Sequence, residues 1–124
     1  MFVLDLSDGY LWPVEFSIPV DGGRHETQSF DGRFARLPQE RIEELLAAGR
    51  DYAVALQKGE QSTGLSDRDI AAEVLIGWEG VMDANNREVP FSKAMKAKML
   101  AIPGVAAAIT GAWCKSLRDA REGN

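Results

Sequence analysis

The polar cluster in residues 83–88 contains side chains that could bind a metal. Asp83, Asn85 and Glu88 carry oxygen donors of the kind that Ca²⁺ prefers. A helix-loop-helix calcium loop starting at Asp83 needs glycine at its sixth position and glutamate at its twelfth, where this chain has Glu88 and Ala94. Aspartate and asparagine also hydrogen-bond their own backbone in tight turns. We therefore predict a turn that joins two helices, and no metal site.

Nucleophilic and acid–base chemistry has few candidate residues here. His25 and Cys114 are the only residues of their types, and nothing in the sequence brings them within hydrogen-bond reach of each other. The adjacent carboxylates Glu43 and Glu44 lack an apolar pocket that would separate their pKa values. The glycine-containing stretches "DGGR" and "GWEG" lack the spacing and the lysine of a phosphate-binding loop. We predict that the protein is not an enzyme and needs no cofactor.

Composition indicates one small acidic domain, residues 1–124, with 45% hydrophobic residues and a net charge of −5. Such a chain lacks the positive field that attracts phosphate backbones, so nucleic acid is not a predicted partner. The charge is unevenly distributed, because residues 89–118 contain no acidic residue. Their basic residues are Lys93, Lys96, Lys98, Lys115 and Arg118. This basic segment suggests an electrostatic contact with an acidic partner or with a second copy of the chain.

Residues 1–15 contain no Lys or Arg, whereas a secretory or transit signal would contain basic residues there. No apolar run approaches the roughly 20 residues of a membrane span. The single cysteine, Cys114, excludes an intrachain disulfide and is compatible with a reducing compartment. These observations predict a cytoplasmic protein without a membrane partner.

A β-hairpin is predicted for about residues 10–36. Apolar side chains occupy alternate positions there, which is typical of a strand with one buried face; they are Trp12, Val14, Phe16, Ile18 and Val20. The turn "DGG" follows, and a loop of residues 22–24 would set Phe16 against Phe30 and Trp12 against Phe34. Pro13 and Pro19 indicate an edge strand.

Four helices are predicted in residues 38–122, so the fold class is α+β. Pro38, Ser66, Ser92 and Pro103 mark their starts. The apolar stripes are predicted to include Leu45 to Leu56 of the first helix, Ile70 to Trp78 of the second, Met95 to Ile102 of the third and Val105 to Leu117 of the fourth. Gly77 and Gly80 are expected to end the second helix, and Pro90 to interrupt the chain before the third.

Three stretches together resemble the tail assembly chaperones encoded by long-tailed bacteriophages and prophages. They are "WPVEFSIPVDGGRHETQSFDGRFARLPQERIEELL", "VLIGWEGVMDANNREVPFS" and "MLAIPGVAAAITGAW", and the similarity covers most of the chain from Trp12 onward. The resemblance implies a protein that binds the tape-measure protein, keeps it soluble and helps tail-tube subunits polymerise around it. The alternative is a small structural head-tail or tail component that remains in the virion.

A protein of this size cannot bury all of its large apolar side chains. We predict that the partner-binding surface lies at the start of the third helix, where methionines could adapt to varied segments; its residues are Trp78, Phe91, Lys93, Met95, Lys96 and Met99. The alternative is that these aromatic and methionine side chains belong to the core.

Overall fold

A three-stranded antiparallel sheet followed mostly by helices forms the protein, which confirms the α+β class. The computed structural model describes residues 1–122, with side chains described as far as Arg118. The strands are β1 (Gly9–Val20), β2 (Arg24–Ala35) and β3 (Leu75–Glu79), in the order β1-β2-β3. The helices are α1 (Gln39–Lys58), α2 (Asp67–Val74), α3 (Lys93–Leu100) and α4 (Val105–Glu122).

The hairpin register differs from the predicted one by two residues. Val20 pairs with Arg24, so the connection is residues 21–23, and Phe16 faces Gln28 while Phe34 faces Tyr10. Gly22 and Gly23 both have positive φ, 88° and 71°, and they complete the turn before Arg24. The shift preserves parity, so the predicted apolar face is retained, and Phe16 still contacts Phe30 diagonally with ring centroids 6.2 Å apart.

β3 corrects the prediction that residues 75–79 continue the second helix. The start of that helix is as predicted, since the Ser66 hydroxyl accepts a hydrogen bond from the Asp69 amide in a capping box. After Val74 the chain becomes extended and pairs with β2, with Trp78 opposite Gly32. Gly77 disfavours a helix, and the free edge of β2 offers backbone partners that a short helix end lacks.

The core lies where α2 and α4 cover the sheet. Its fully buried side chains come from the sheet, from α2 and from α4, and they include Val14, Phe34, Val74, Leu75, Ile109 and Trp113. Two hydroxyl contacts tie α4 in place: Ser116 Oγ lies 2.8 Å from Tyr10 Oη of β1, and Thr110 Oγ1 donates to Asp67 O at 2.8 Å. The apolar faces of the sheet and α4 are therefore buried against each other, and the buried side-chain polar atoms of the described residues are paired.

α1 follows the predicted stripe only in its first half. Leu45 is fully buried, but Leu56 at the other end of the stripe is 67% exposed. Val54, which lies outside the predicted stripe, is 49% exposed. The helix has 20 residues, whereas α2, which lies beside it, has eight. The second half of α1 therefore extends past its packing partner, and a periodic apolar pattern alone could not show where that partner ends.

Candidate partner-binding surface

Trp78 and Phe91 form an aromatic pair that closes the segment between β3 and α3. Their ring centroids are 4.8 Å apart in an edge-to-face arrangement, and the Trp78 indole N–H donates to Val89 O at 2.8 Å. Trp78 is only 9% exposed, whereas Phe91 is half-buried. Trp78 therefore supports the predicted surface from beneath and offers little area for direct contact.

The polar residues 83–86 sit at the tip of a small hairpin between β3 and α3. Val89 N donates to Val81 O at 2.8 Å, and Asp83 N donates to Arg87 O at 2.9 Å. Asp83 Oδ1 accepts from the amides of Asn85 and Arg87 at 2.8 and 3.0 Å. These bonds give the Asp83 carboxylate a structural role as the acceptor that holds the turn.

Lys96 binds backbone at the end of α2. Its ammonium donates to Leu75 O at 2.8 Å and also to Ala72 O, and Nζ lies 6.0 Å from the centre of the Phe91 ring. Burial lowers the pKa of Lys96. A cation that neutralises the carbonyls of a helix C-terminus stabilises that end of the helix. The structure therefore gives Lys96 a fixed internal partner, whereas Lys93, three residues earlier, is exposed.

Two surface grooves lie on either side of α3, and each is lined by some of the residues predicted to form the partner-binding surface. The first, the α2–α3 groove, has a volume of about 360 Å³ and charged walls. It is lined by Arg68, Asp69, Ala72, Lys93, Lys96, Ala97 and Leu100. Lys93 and Lys96 thus belong together, but they do not share a groove with Met99.

The second groove, here called the methionine groove, lies between the hairpin, the segment after β3 and the end of α3. Its volume is about 260 Å³, and none of its lining residues is charged. It is lined by Phe16, Ile18, Gln28, Ser29, Phe30, Gly80, Val81, Met82, Met99 and Ile102. Met99 is the one predicted surface residue in this lining, while Met95 is half-buried against the core.

Sequence reasoning missed two residues of the methionine groove, Met82 and Ile102. Ile102 was expected on the buried edge of the third helix, but α3 ends at Leu100 and Ile102 is 47% exposed. Met82 is 53% exposed within the small hairpin, where it pairs with Glu88 and no helical pattern applies. The signal that could have found Ile102 is Pro103, because the residue before proline is biased away from helical geometry.

A second apolar feature is the arm, defined as residues 1–6, which lies outside every helix and strand. Its large apolar side chains are each at least 68% exposed; they are Met1, Phe2, Val3, Leu4 and Leu6. Asp5 and Asp8 fasten its base, through Arg36 at 3.1 Å and Arg33 at 2.8 Å. The arm therefore projects apolar surface from an anchored base.

Reactive groups do not converge in the part of the chain that the structure describes. His25 lies exposed opposite Pro19 near the hairpin tip, and Cys114 is half-buried on α4, where burial raises the pKa of its thiol. No hydrogen bond joins the two among residues 1–118. Within the same residues, no group of three or more His, Cys, Asp or Glu side chains is arranged to hold a metal ion.

The described helices contain no single segment long and apolar enough to cross a membrane. Only the bent pair of α3 and α4 up to Arg118, with an angle of 101° between them, has such a length and composition.

Comparisons of the chain with protein-family models, with curated proteins and with solved structures found no match.

Proposed function

We propose that this protein is a non-enzymatic tail assembly chaperone of a long-tailed phage, acting in the host cytoplasm to keep the tape-measure protein soluble and to promote tail-tube assembly. The resemblance of its sequence motifs to that class supplies the identity of the partner. The observation that carries the proposal is the methionine groove, an open apolar surface with no charged lining residue.

The chemistry of the groove suits side chains of a polypeptide better than a whole small molecule. Its volume of about 260 Å³ is below the roughly 300–1,000 Å³ of ordinary ligand pockets. Met82 and Met99 contribute unbranched, polarizable side chains that adapt to different shapes. A chaperone that must hold many apolar segments of one long client needs this kind of adaptable contact.

The basic segment provides a second element of the proposed surface. Lys93 and Lys98 are exposed on α3, and Arg68 is exposed on α2. Lys93 and Arg68 line the α2–α3 groove, which lies on the other side of α3 from the methionine groove. Acidic residues that flank an apolar client segment could therefore be attracted across α3, and this contribution would weaken as salt concentration rises.

Co-expression with the tape-measure protein from the same genome tests the proposal. The wild-type chain should increase the soluble fraction of the tape-measure protein, and a groove variant with Met82→Ser and Ile102→Ser should lose most of that effect. The control variant Val54→Ser with Leu56→Ser removes apolar surface of similar exposure from α1 and should behave as wild type. A tape-measure protein equally insoluble with and without the wild-type chain would refute the function.

The composition of purified virions separates the proposed role from that of a structural tail component. An assembly chaperone leaves when the tail is complete, so the protein should be present in infected cells and absent from finished particles. Stoichiometric recovery of the chain in virions would instead assign it to the particle.

A further inference from the structure

We propose that two copies of this protein associate by inserting the arm of one copy into the methionine groove of the other. The observation behind this proposal is that one chain carries both an exposed apolar segment and an open apolar groove that this segment does not cover. The proposal concerns the protein alone, and it goes beyond the proposed function without depending on it.

The arm has the side-chain pattern of a segment that docks in extended form. In an extended chain, alternate side chains point to the same side, so Phe2, Leu4 and Leu6 form one apolar row. Asp5 belongs to the opposite row, and its carboxylate accepts hydrogen bonds from the Ser7 amide at 2.9 Å and from Arg36 at 3.1 Å. The base is therefore held while the apolar row stays free to bind.

Charge selects the methionine groove over the α2–α3 groove. The only charged side chain in the arm is Asp5, which is already paired with Arg36. The methionine groove has no charged lining residue, whereas the α2–α3 groove is lined by four, two of which are Lys93 and Lys96. Phe2 and Leu4 would desolvate those charges in the α2–α3 groove, but in the methionine groove they would meet Phe16, Met82 and Met99. The groove volume of about 260 Å³ suits one or two such side chains.

The arm does not fill the groove of its own chain. Asp5 is bonded to Arg36, whose guanidinium lies 5.1 Å from the centre of the Tyr10 ring. Residues 1–4 extend at most about 13 Å from that anchor, at roughly 3.3 Å per residue. Phe16 lies six residues beyond Tyr10 along β1, which at the same rise is about 20 Å away. The arm can reach at most the near edge of its own groove, at Phe30 opposite Val14. In the structure it lines no part of that groove, so we assign the occupant to a second copy.

Reciprocal exchange would give a closed dimer, because each copy has one arm and one groove. Each exchange would bury Phe2 and Leu4 against Phe30, Met82 and Ile102. Since both elements of the contact lie on the same chain, each can be removed separately and the two defects can be combined. A client segment that used the groove would have to displace the arm.

Sedimentation equilibrium of the purified full-length chain tests the association directly. Wild type should form dimers, and both the arm variant, Phe2→Ser with Leu4→Ser, and the groove variant, Met82→Ser with Ile102→Ser, should associate at least about 100-fold more weakly, as expected for losing two buried apolar side chains. The control variant Val54→Ser with Leu56→Ser should dimerise as wild type. Circular dichroism should show that all four proteins are folded, since every substituted side chain is at least 47% exposed.

Mixing the two defective variants gives the decisive result. The arm variant keeps an intact groove and the groove variant keeps an intact arm, so an equimolar mixture should form heterodimers more tightly than either variant forms homodimers. The proposal would be overturned by a monomeric wild type, by arm and groove variants that dimerise like wild type, or by a mixture that associates no better than its components. None of these outcomes involves a tape-measure protein, so they are distinct from failure of the proposed function.

Discussion

The side of the sheet covered by α4 and the region formed by the arm and the methionine groove use similar residues in opposite ways. Trp113 and Ile109 of α4 are at most 1% exposed, and the nearby Ser116 and Thr110 hydroxyls are hydrogen-bonded. In the second region, Phe2 and Met82 are 83% and 53% exposed. Apolar content alone therefore does not distinguish the core of this protein from its exposed apolar surface.

The difference lies in what each apolar side chain can reach within its own chain. α4 lies across the sheet, so its stripe meets Val14 and Phe34 and is sealed. The arm is fastened at Asp5 and Asp8, and the end of α3 turns away before Ile102 is covered. We call the side of the sheet covered by α2 and α4 the closed region, and the arm with the methionine groove the open region. We infer that the closed region provides folding stability and that the open region is available for binding. Substitutions in the two regions should therefore affect different measurements.

The largest expected effect separates these regions by stability. Trp113→Ala should lower the free energy of unfolding by about 3–5 kcal/mol, because it removes a large, fully buried side chain and leaves a cavity. Ile102→Ser should change the same quantity by no more than about 0.5 kcal/mol, since the side chain is already half in solvent. Urea denaturation followed by circular dichroism measures both. A loss at Ile102 comparable to that at Trp113 would show that the methionine groove belongs to the core.

A smaller change in stability tests whether Lys96, in the α2–α3 groove, contributes to the fold as the closed region does. Lys96→Met keeps most of the side-chain volume but removes the ammonium that binds Leu75 O and Ala72 O. The expected loss of stability is about 1–2 kcal/mol, because the last carbonyls of α2 lose their hydrogen-bond donor. Lys93→Met is the matched control, since Lys93 is an exposed residue of the same groove. Equal stability of the two variants would contradict the structural role of Lys96.

Lys93 and Lys96 should also differ in the pH dependence of stability. Burial lowers the pKa of Lys96 in the folded protein below its unfolded value of 10.5, so the folded state releases this proton first. The contribution of Lys96 to stability should therefore increase as the pH rises through its folded pKa toward the unfolded value. Lys96→Met should remove this alkaline dependence and Lys93→Met should retain it, as urea denaturation at several alkaline pH values would show.

The sequence predicted the secondary-structure elements better than the contacts between them. Alternation from Trp12 to Val20 correctly predicted the apolar face of β1, because side-chain parity is a local property of a strand. The register was wrong because the backbone angles of Gly22 and Gly23, which set the turn length, are not encoded in hydrophobic alternation. β3 was missed because five residues continuing the apolar pattern of a helix give little local signal, and the edge of β2 decides their structure.

The positions of the predicted surface residues were only partly predictable, because they depend on contacts between elements that are distant in the sequence. The stretch from Phe91 to Met99 was singled out, and one of its residues, Met99, does line an open groove. Lys96 could not be recognised as a cap because Ala72 and Leu75 lie more than 20 residues away in the chain. Residues 1–8 were not assigned to any element from the sequence, and the exposure of Phe2, Leu4 and Leu6 appears only in the folded protein.

The smallest expected effect concerns an ion pair that holds α1 to the closed region. Arg41 Nε and Nη2 donate to the two Glu73 carboxylate oxygens at 2.7 and 2.5 Å, joining α1 to α2. These hydrogen bonds lower the pKa of Glu73 below its ordinary value of 4.5. Because the folded pKa is lower than the unfolded one, the pair stabilises the fold above about pH 4.5, and this contribution disappears as the pH falls through the folded pKa.

Glu73→Gln should therefore lower stability slightly at pH 7 and have no effect once the carboxylate is protonated in the wild type. The effect is small because both side chains of the pair are about one-third exposed, at 39% and 33%, and solvent screens their attraction. Glu44→Gln is the control, since Glu44 makes a single, longer bond of 3.3 Å to the same arginine and is 57% exposed. Urea midpoints measured from pH 7 downward should converge for wild type and Glu73→Gln but remain parallel for Glu44→Gln. If wild type and Glu73→Gln already coincide at pH 7, then the apolar contact of Leu45, and not this ion pair, holds α1 in the closed region.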